Sequence, residues 1–130
     1  MHSMVYISDV DEKSCYWTLE PEPRRELLGV FHEGPVKAVF NGHLHCHFEI
    51  EHDGLPIYSC PAIGFSIKDD PFPERGDSRE GYFVIDISGK GISYEKKLLP
   101  PDRLEQIRSR VPRLKWVSGS VTLQYPSPEE

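Results

Sequence analysis

Cysteine is scarce: the 130 residues hold three, Cys15, Cys46 and Cys60, an odd number without C-x-x-C spacing. Neither a disulfide framework nor a zinc ribbon is indicated, and a reducing cytoplasm is the expected location. Long hydrophobic runs are also lacking, since no apolar stretch approaches the roughly 20 residues of a membrane span. The N-terminus has no apolar core of the signal-peptide kind, so a soluble, unexported protein with no membrane contact is expected. A basic excess is missing too, because 15 Lys and Arg face 21 Asp and Glu, for a net charge of −6. That argues against an unaided nucleic-acid surface, which needs clustered positive charge. Arg103, Arg108, Arg110, Arg113 and Lys115 do gather near the C-terminus, but Asp102 and Glu105 are interleaved with them, as on a solvated helix face. No internal repeat is present, and the length suits one domain over residues 1–130.

What is present is a succession of short apolar runs punctuated by Gly, Pro and Asp. Pro21 and Pro23 open a segment in which Leu27, Leu28 and Phe31 fall at helical spacing, so a helix is expected up to the stop at Gly34-Pro35. Val36–Phe40 then reads as a buried strand that ends in a loop at Asn41-Gly42. Asp53-Gly54 predicts a type I′ turn joining arms Phe48–His52 and Leu55–Cys60, with Pro56 marking the second arm as an edge or a strand start. Lys68–Glu80 is dense in proline and charge, as an exposed loop is. Tyr82–Ile87 and Ile92–Leu98 form a second predicted hairpin across Ser88-Gly89-Lys90-Gly91. Asp102, with Glu105 three residues on, predicts the cap of a second helix ending before Pro112, and Gln124–Glu130 reads as a frayed end. The expected fold class is α/β (α+β), mostly strands in hairpins with one or two helices.

Chemistry concentrates in the histidines. His43, His45 and His47 stand at alternate positions, with His52 nearby. Neutral imidazole is the commonest metal ligand, and two on one short loop are partly pre-organised. An extended H-x-H segment points both rings to one side, whereas a loop after a strand splays them, and spacing alone does not choose. Gly42 lets the backbone pass close to a bound ion. His47 and His52 read as solvent-exposed hairpin residues, and the Cys46 side chain should point away from those of His45 and His47. Tyr16, Trp17 and Phe65 are candidates for a substrate groove, although aromatic residues beside a sheet usually fill core space.

The order Val39-Phe40-Asn41-Gly42-His43-Leu44-His45, Glu51-His52-Asp53-Gly54-Leu55-Pro56-Ile57-Tyr58, Pro61-Ala62-Ile63-Gly64 and Gly81-Tyr82-Phe83-Val84-Ile85-Asp86 resembles the last block of calcineurin-like metallophosphoesterases. The resemblance covers roughly Val36 to Leu98. It implies the C-terminal part of a metallophosphoesterase β-sandwich, with His43 on one metal ion and His45 on the other. It also implies a dinuclear site of Mn, Zn, Fe or Ni that hydrolyses phosphate mono- or diesters. His2 stands where the family has an isolated histidine at the end of the preceding strand, which would join His43 at its metal. The family's earlier motifs, D-x-H, G-D-x-x and G-N-H-[DE], do not occur upstream of His43, and Gly76-Asp77 comes in the wrong order.

The resemblance therefore implies a partner for the chain, either the N-terminal half of the domain or a second copy, and little activity in isolation. Two other readings compete. One is a non-catalytic, homo-oligomerising domain that kept the fold. The other is a cupin-like barrel with a mononuclear site at His43, His45 and Glu49.

Overall fold

The computed structural model describes residues 1–65, 76–103 and 105, together with the strands at 113–117 and 120–124. It divides into two compact units, Met1–Leu98 and Leu99–Glu130.

In the first unit α1 spans Pro21–Glu33, with proline in its first turn, where a missing N–H costs no helical bond. It stops at Gly34, whose N–H closes the last turn on the Val30 carbonyl at 3.0 Å. Leu28 is buried, and Phe31 packs partly against the core. The same helix buries Arg24 completely. One of its terminal nitrogens donates to the Val10 and Glu12 carbonyls at 2.7 and 2.9 Å, and the other donates to the Leu19 carbonyl at 2.7 Å. These three carbonyls belong to the segment leading into α1, so one guanidinium satisfies the backbone of a stretch with no strand to pair with.

Three strands follow: β1 (Val39–Asn41), β2 (Phe48–His52) and β3 (Leu55–Ser59), in the spatial order β1-β3-β2. The β2–β3 hairpin turns at Asp53-Gly54, both with positive φ (48° and 80°), as a type I′ turn requires. β3 lies in the middle, antiparallel to β2 and parallel to β1, so of the two readings of Pro56 the edge fails and the strand start holds. Pro56 is tolerated because the β1 ladder begins only at Val39 opposite Ile57. Extended backward, that register would meet Pro56, which lacks an N–H, so β1 is shorter than the predicted Val36–Phe40. β4 (Gly81–Ser88) and β5 (Gly91–Leu98) pair from Gly81 opposite Leu98 to Ser88 opposite Gly91.

The N-terminal run carries no sequence-predicted element, yet Met4, Val5, Tyr6 and Ile7 are all buried in the core with Leu44, Phe48 and Ile57. It is held from both sides. The Met1 ammonium donates to the Phe40 carbonyl at 2.8 Å, the Gly42 N–H to the His2 carbonyl at 3.0 Å, and the Asn41 amide to the Ser3 carbonyl at 2.6 Å. On the other side Met4 donates to the Trp17 carbonyl at 3.2 Å and accepts from Leu19 at 3.1 Å. Four apolar residues are too few for periodicity to announce an element.

In the second unit positions 101–103 and 105 are helical. The helix starts before Asp102, which therefore lies inside its first turn and does not cap it. The predicted continuation to Pro112 falls outside the described residues, as does most of the Lys68–Glu80 loop. β6 (Arg113–Val117) and β7 (Ser120–Gln124) form an antiparallel hairpin that the sequence reading did not anticipate. Among the described residues no helix is long and apolar enough to cross a membrane.

Arg24→Met should cost about 2 kcal/mol or more, because it leaves three partly buried carbonyls without their donors, each hydrogen bond to a charged group contributing roughly 1 kcal/mol or more. Arg25→Ala, which removes an exposed pair with Asp11, should cost about 0.5 kcal/mol or less. Urea unfolding of the two variants checks this, and equal losses would contradict the role given to Arg24.

Candidate metal centre

Asn41 ends β1, and the chain turns through Gly42 to Cys46 before β2 begins. Leu44 and Cys46 are buried and anchor this loop in the core. The residues that alternate with them, His43 and His45, both take left-handed backbone conformations, with φ of 70° and 53°. Such conformations are uncommon outside glycine, though histidine tolerates them better than most, and they gather at functional sites where surrounding structure enforces them. Because His43 and His45 are not in an extended strand, the same-side geometry of an H-x-H strand does not apply. Gly42 itself is less constrained than its sequence position suggests, since a Cβ there would meet only His2 Nδ1, at an ordinary 3.9 Å.

Each histidine is fixed by one backbone carbonyl. His43 Nε2 lies 3.1 Å from the Tyr16 carbonyl, and His45 Nδ1 lies 3.0 Å from the Phe65 carbonyl. A carbonyl oxygen only accepts, so the ring nitrogen facing it carries the proton. The two rings are therefore held as opposite tautomers, with the lone pair on Nδ1 of His43 and on Nε2 of His45. Histidine ligands commonly donate their other N–H to a backbone carbonyl in this way, which fixes ring orientation and raises basicity.

The ring contacts sort the predicted ligands. His2 and His43 lie with centroids 4.6 Å apart, and Tyr16 and Trp17 lie 5.0 and 5.1 Å from His43. His45 instead meets Phe65, at 4.3 Å. His2 and His43 are thus brought together while His45 turns to a different neighbour. Among the described residues, no three His, Cys, Asp or Glu side chains gather as a metal ion would need. Imidazoles without a carboxylate supply no negative charge to hold two cations together. They do not fit a complete dinuclear centre.

The exposed positions assigned to His47 and His52 are corrected by the structure. His47 pairs its backbone with Asp77 through two 2.8 Å bonds, and its ring is enclosed between β2 and β5. Lys96 Nζ donates to His47 Nδ1 at 3.1 Å, so Nε2 carries the hydrogen and faces the Tyr94 hydroxyl at 3.0 Å. Tyr94 in turn donates to the Glu49 carboxylate. Burial, and then Lys96, push the His47 pKa down, whereas burial and Glu49 push the Tyr94 phenol up. Glu49 is thereby committed to Tyr94 and His47, which removes it from a His43–His45–Glu49 cupin-type set. His52 is half-buried, with its Nδ1 3.4 Å from the Tyr6 hydroxyl. Cys46 is buried in the core.

No sequence motif signalled this network, because its members come from β2, β5 and the loop at Asp77. Lys96 Nζ also donates to the Asp77 carboxylate at 2.6 Å, and Arg79 reaches the same group through two bonds of 2.9 and 2.8 Å.

No family model matches the chain. Over 69 residues, 53% of the chain, it is 35% identical to the protein named serine/threonine-protein phosphatase CPPED1 from Danio rerio. The match covers 22% of that protein, so the chain spans only a minor part of the length of the curated relative it matches.

Two measurements check the site. Long-range proton–nitrogen NMR at about pH 8, above the imidazole range, should find His43 protonated on Nε2 and His45 on Nδ1. The same tautomer on both would contradict the carbonyl assignments. The Asp77 carboxyl is held well below the usual carboxylate range by Arg79 first and also by Lys96. A depressed folded-state pKa stabilises above the unfolded value of about 3.9 and loses that contribution as pH falls through it toward the folded one. Asp77→Asn should therefore lower the urea midpoint at neutral pH, with the difference from the parent protein shrinking below about pH 4.

Proposed function

We propose that the chain is the distal portion of a metal-dependent phosphoesterase domain, contributing His43, His45 and His2 to a dinuclear site that hydrolyses phosphate mono- or diesters. The observation that carries the reading is the loop after β1, on which each of two histidines keeps one lone pair free while a carbonyl holds the other nitrogen. The resemblance of the Val36–Leu98 stretch to calcineurin-like enzymes and the partial match to a protein named as a phosphatase support the same activity. When bound, a pair of divalent ions such as Mn, Zn, Fe or Ni supplies the phosphoryl clamp and the activated hydroxide of two-metal hydrolysis. This chain's own part is to present lone pairs in fixed directions. The carboxylates belong to the preceding portion of the domain, supplied in the same polypeptide or by a partner, with a second copy of the chain as the other source.

A second reading, a homo-oligomerising domain without chemistry, is favoured by the face of the β4–β5 hairpin that carries Ile85, Ile87 and Ile92, all exposed. Sedimentation of the chain separates the two, since this reading requires a concentration-dependent dimer or larger assembly.

Hydrolysis of a phosphomonoester or phosphodiester by the isolated chain with manganese or zinc should stay near background. Supplying the preceding portion of a related phosphoesterase should restore metal-dependent turnover, and His43→Ala or His45→Ala should then reduce it about 100-fold or more. Turnover by the isolated chain that both substitutions abolish would show a complete site and overturn the reading.

A further inference from the structure

At the opposite end of β2 from the histidine loop, a groove of about 390 Å³ opens between α1 and the β2–β3 turn. Leu28 and Gly29 of α1 line it with Val10, and His52 and Asp53 line it from the turn. Glycine is a poor helix former, yet Gly29 stands in the interior of α1. A Cβ there would meet nothing within 4 Å, so no close neighbour excludes a side chain. What a larger residue would occupy is the groove.

The groove is rich in acceptors. The Tyr6 hydroxyl donates its one hydrogen to the Glu51 carbonyl at 3.2 Å, so in the 3.4 Å contact with His52 Nδ1 the neutral ring is the donor. The His52 lone pair is thereby left on Nε2, 3.7 Å from an oxygen of the Asp53 carboxylate. Two acceptors side by side need a donor from outside. Asp11 adds a third acceptor, because the Arg25 Nε and Nη2 bonds both fall on Oδ1 and leave Oδ2 to accept. The local field is negative as well: burial first, and then Asp53, Asp9 and Glu12, push the Tyr6 phenol up. Such carboxylates repel an anion. Among the described residues no three ligating side chains converge as around a metal ion, so a cation suited to the groove is an extended one. A planar group with several donors and an apolar stem, to lie against Val10 and Leu28, has that form. A second hollow of about 230 Å³ shares His32 and Asp53 with the groove and continues it past Phe31, Val36 and Leu55.

We propose that this groove binds an arginine side chain presented by a peptide segment of a partner protein, with an apolar neighbour of that arginine seated in the second hollow. The guanidinium donates to the Asp53 carboxylate and to His52 Nε2, which one planar fork reaches together. Its methylenes lie over Val10, Leu28 and the bare backbone of Gly29. A free guanidine has nothing to place against Phe31, Val36 and Leu55, whereas a peptide does. The site stands apart from the histidine loop and is independent of the phosphoesterase reading.

Proton–carbon NMR of the whole chain at about pH 8, above the imidazole range, follows the Val10 and Leu28 methyls and the His52 ring during titration. The probes are a Gly-Arg-Leu-Gly peptide blocked at both ends, the same peptide with citrulline in place of arginine, and acetyl-arginine amide. Citrulline keeps the shape of arginine and loses its charge. The arginine peptide should bind about 10-fold more tightly than the citrulline peptide, as hydrogen bonds to a charged group imply. It should bind about 3-fold or more tightly than acetyl-arginine amide, through the buried leucine. Asp53→Asn should weaken the arginine peptide about 3-fold or more and leave the citrulline peptide unchanged. Gly29→Leu fills the groove and should abolish binding while raising the urea midpoint, since leucine favours a helix over glycine, so loss of the site is distinguished from loss of the fold. Equal binding of the citrulline peptide overturns the cation, and equal binding of acetyl-arginine amide overturns the peptide partner. Unchanged binding by Gly29→Leu, or no shift at Val10, Leu28 and His52, overturns the site.

Discussion

The buried guanidinium of Arg24 is the contact on which the first unit's architecture turns. The stretch from Val10 to Leu19 forms no strand beyond the isolated bridge of Thr18 with Met4, and three of its carbonyls accept from Arg24. Arginine carries enough donors on one planar group to satisfy all three from a single helix position, which lysine's point charge would do less well. With that stretch tied to α1, Trp17 and Leu19 hold Met4 in place, and the Tyr16 carbonyl stands ready to accept from His43. A residue in the helix thus reaches the candidate ligands through a segment that has little structure of its own.

Strain at the histidine loop is met by support beneath it. Two non-glycine residues with positive φ are unfavourable by about 1 kcal/mol or more each, so the flanking structure must impose them. Leu44 and Cys46 do this from the core side. Directly after them His47, Glu49, Tyr94, Lys96 and Asp77 join β2 to β5 through hydrogen bonds that leave every ring nitrogen of His47 occupied. Phe83 lies tilted against Tyr94 at 4.5 Å, and Phe40 stacks on Tyr58 at 5.1 Å, adding apolar contact. A ligand loop held on two sides keeps its geometry before any metal or substrate arrives.

Where local chemistry is decisive, the sequence was readable. Asp53-Gly54 located its turn because both residues accept positive φ, and the prolines of α1 stand where a helix begins. The two hairpins follow from alternation and turn residues, and they appear with nearly the predicted arms. Legibility failed where partners are distant in sequence. Met4–Ile7 is too short to show a period, and its burial depends on β1 and on the Trp17–Leu19 stretch. β6 was hidden by a basic composition that suits a helix face as well as a strand, and β7 by being only five residues long with no Asn-Gly or Asp-Gly turn before it.

By itself the sequence determined that this is a mixed α/β chain of hairpins carrying a G-H-x-H loop after an apolar strand, because turn propensity and side-chain alternation are local properties. It also brought His2 into consideration, though only by order along the chain. The tertiary structure decided which nitrogen of each histidine is free, that His2 lies against His43 while His45 turns toward Phe65, and that His47 belongs to the framework. Those outcomes rest on carbonyls and rings from residues about 20 to 50 positions away. No pattern within the loop encodes them, since a hydrogen bond's direction is set only when both partners have been placed in space.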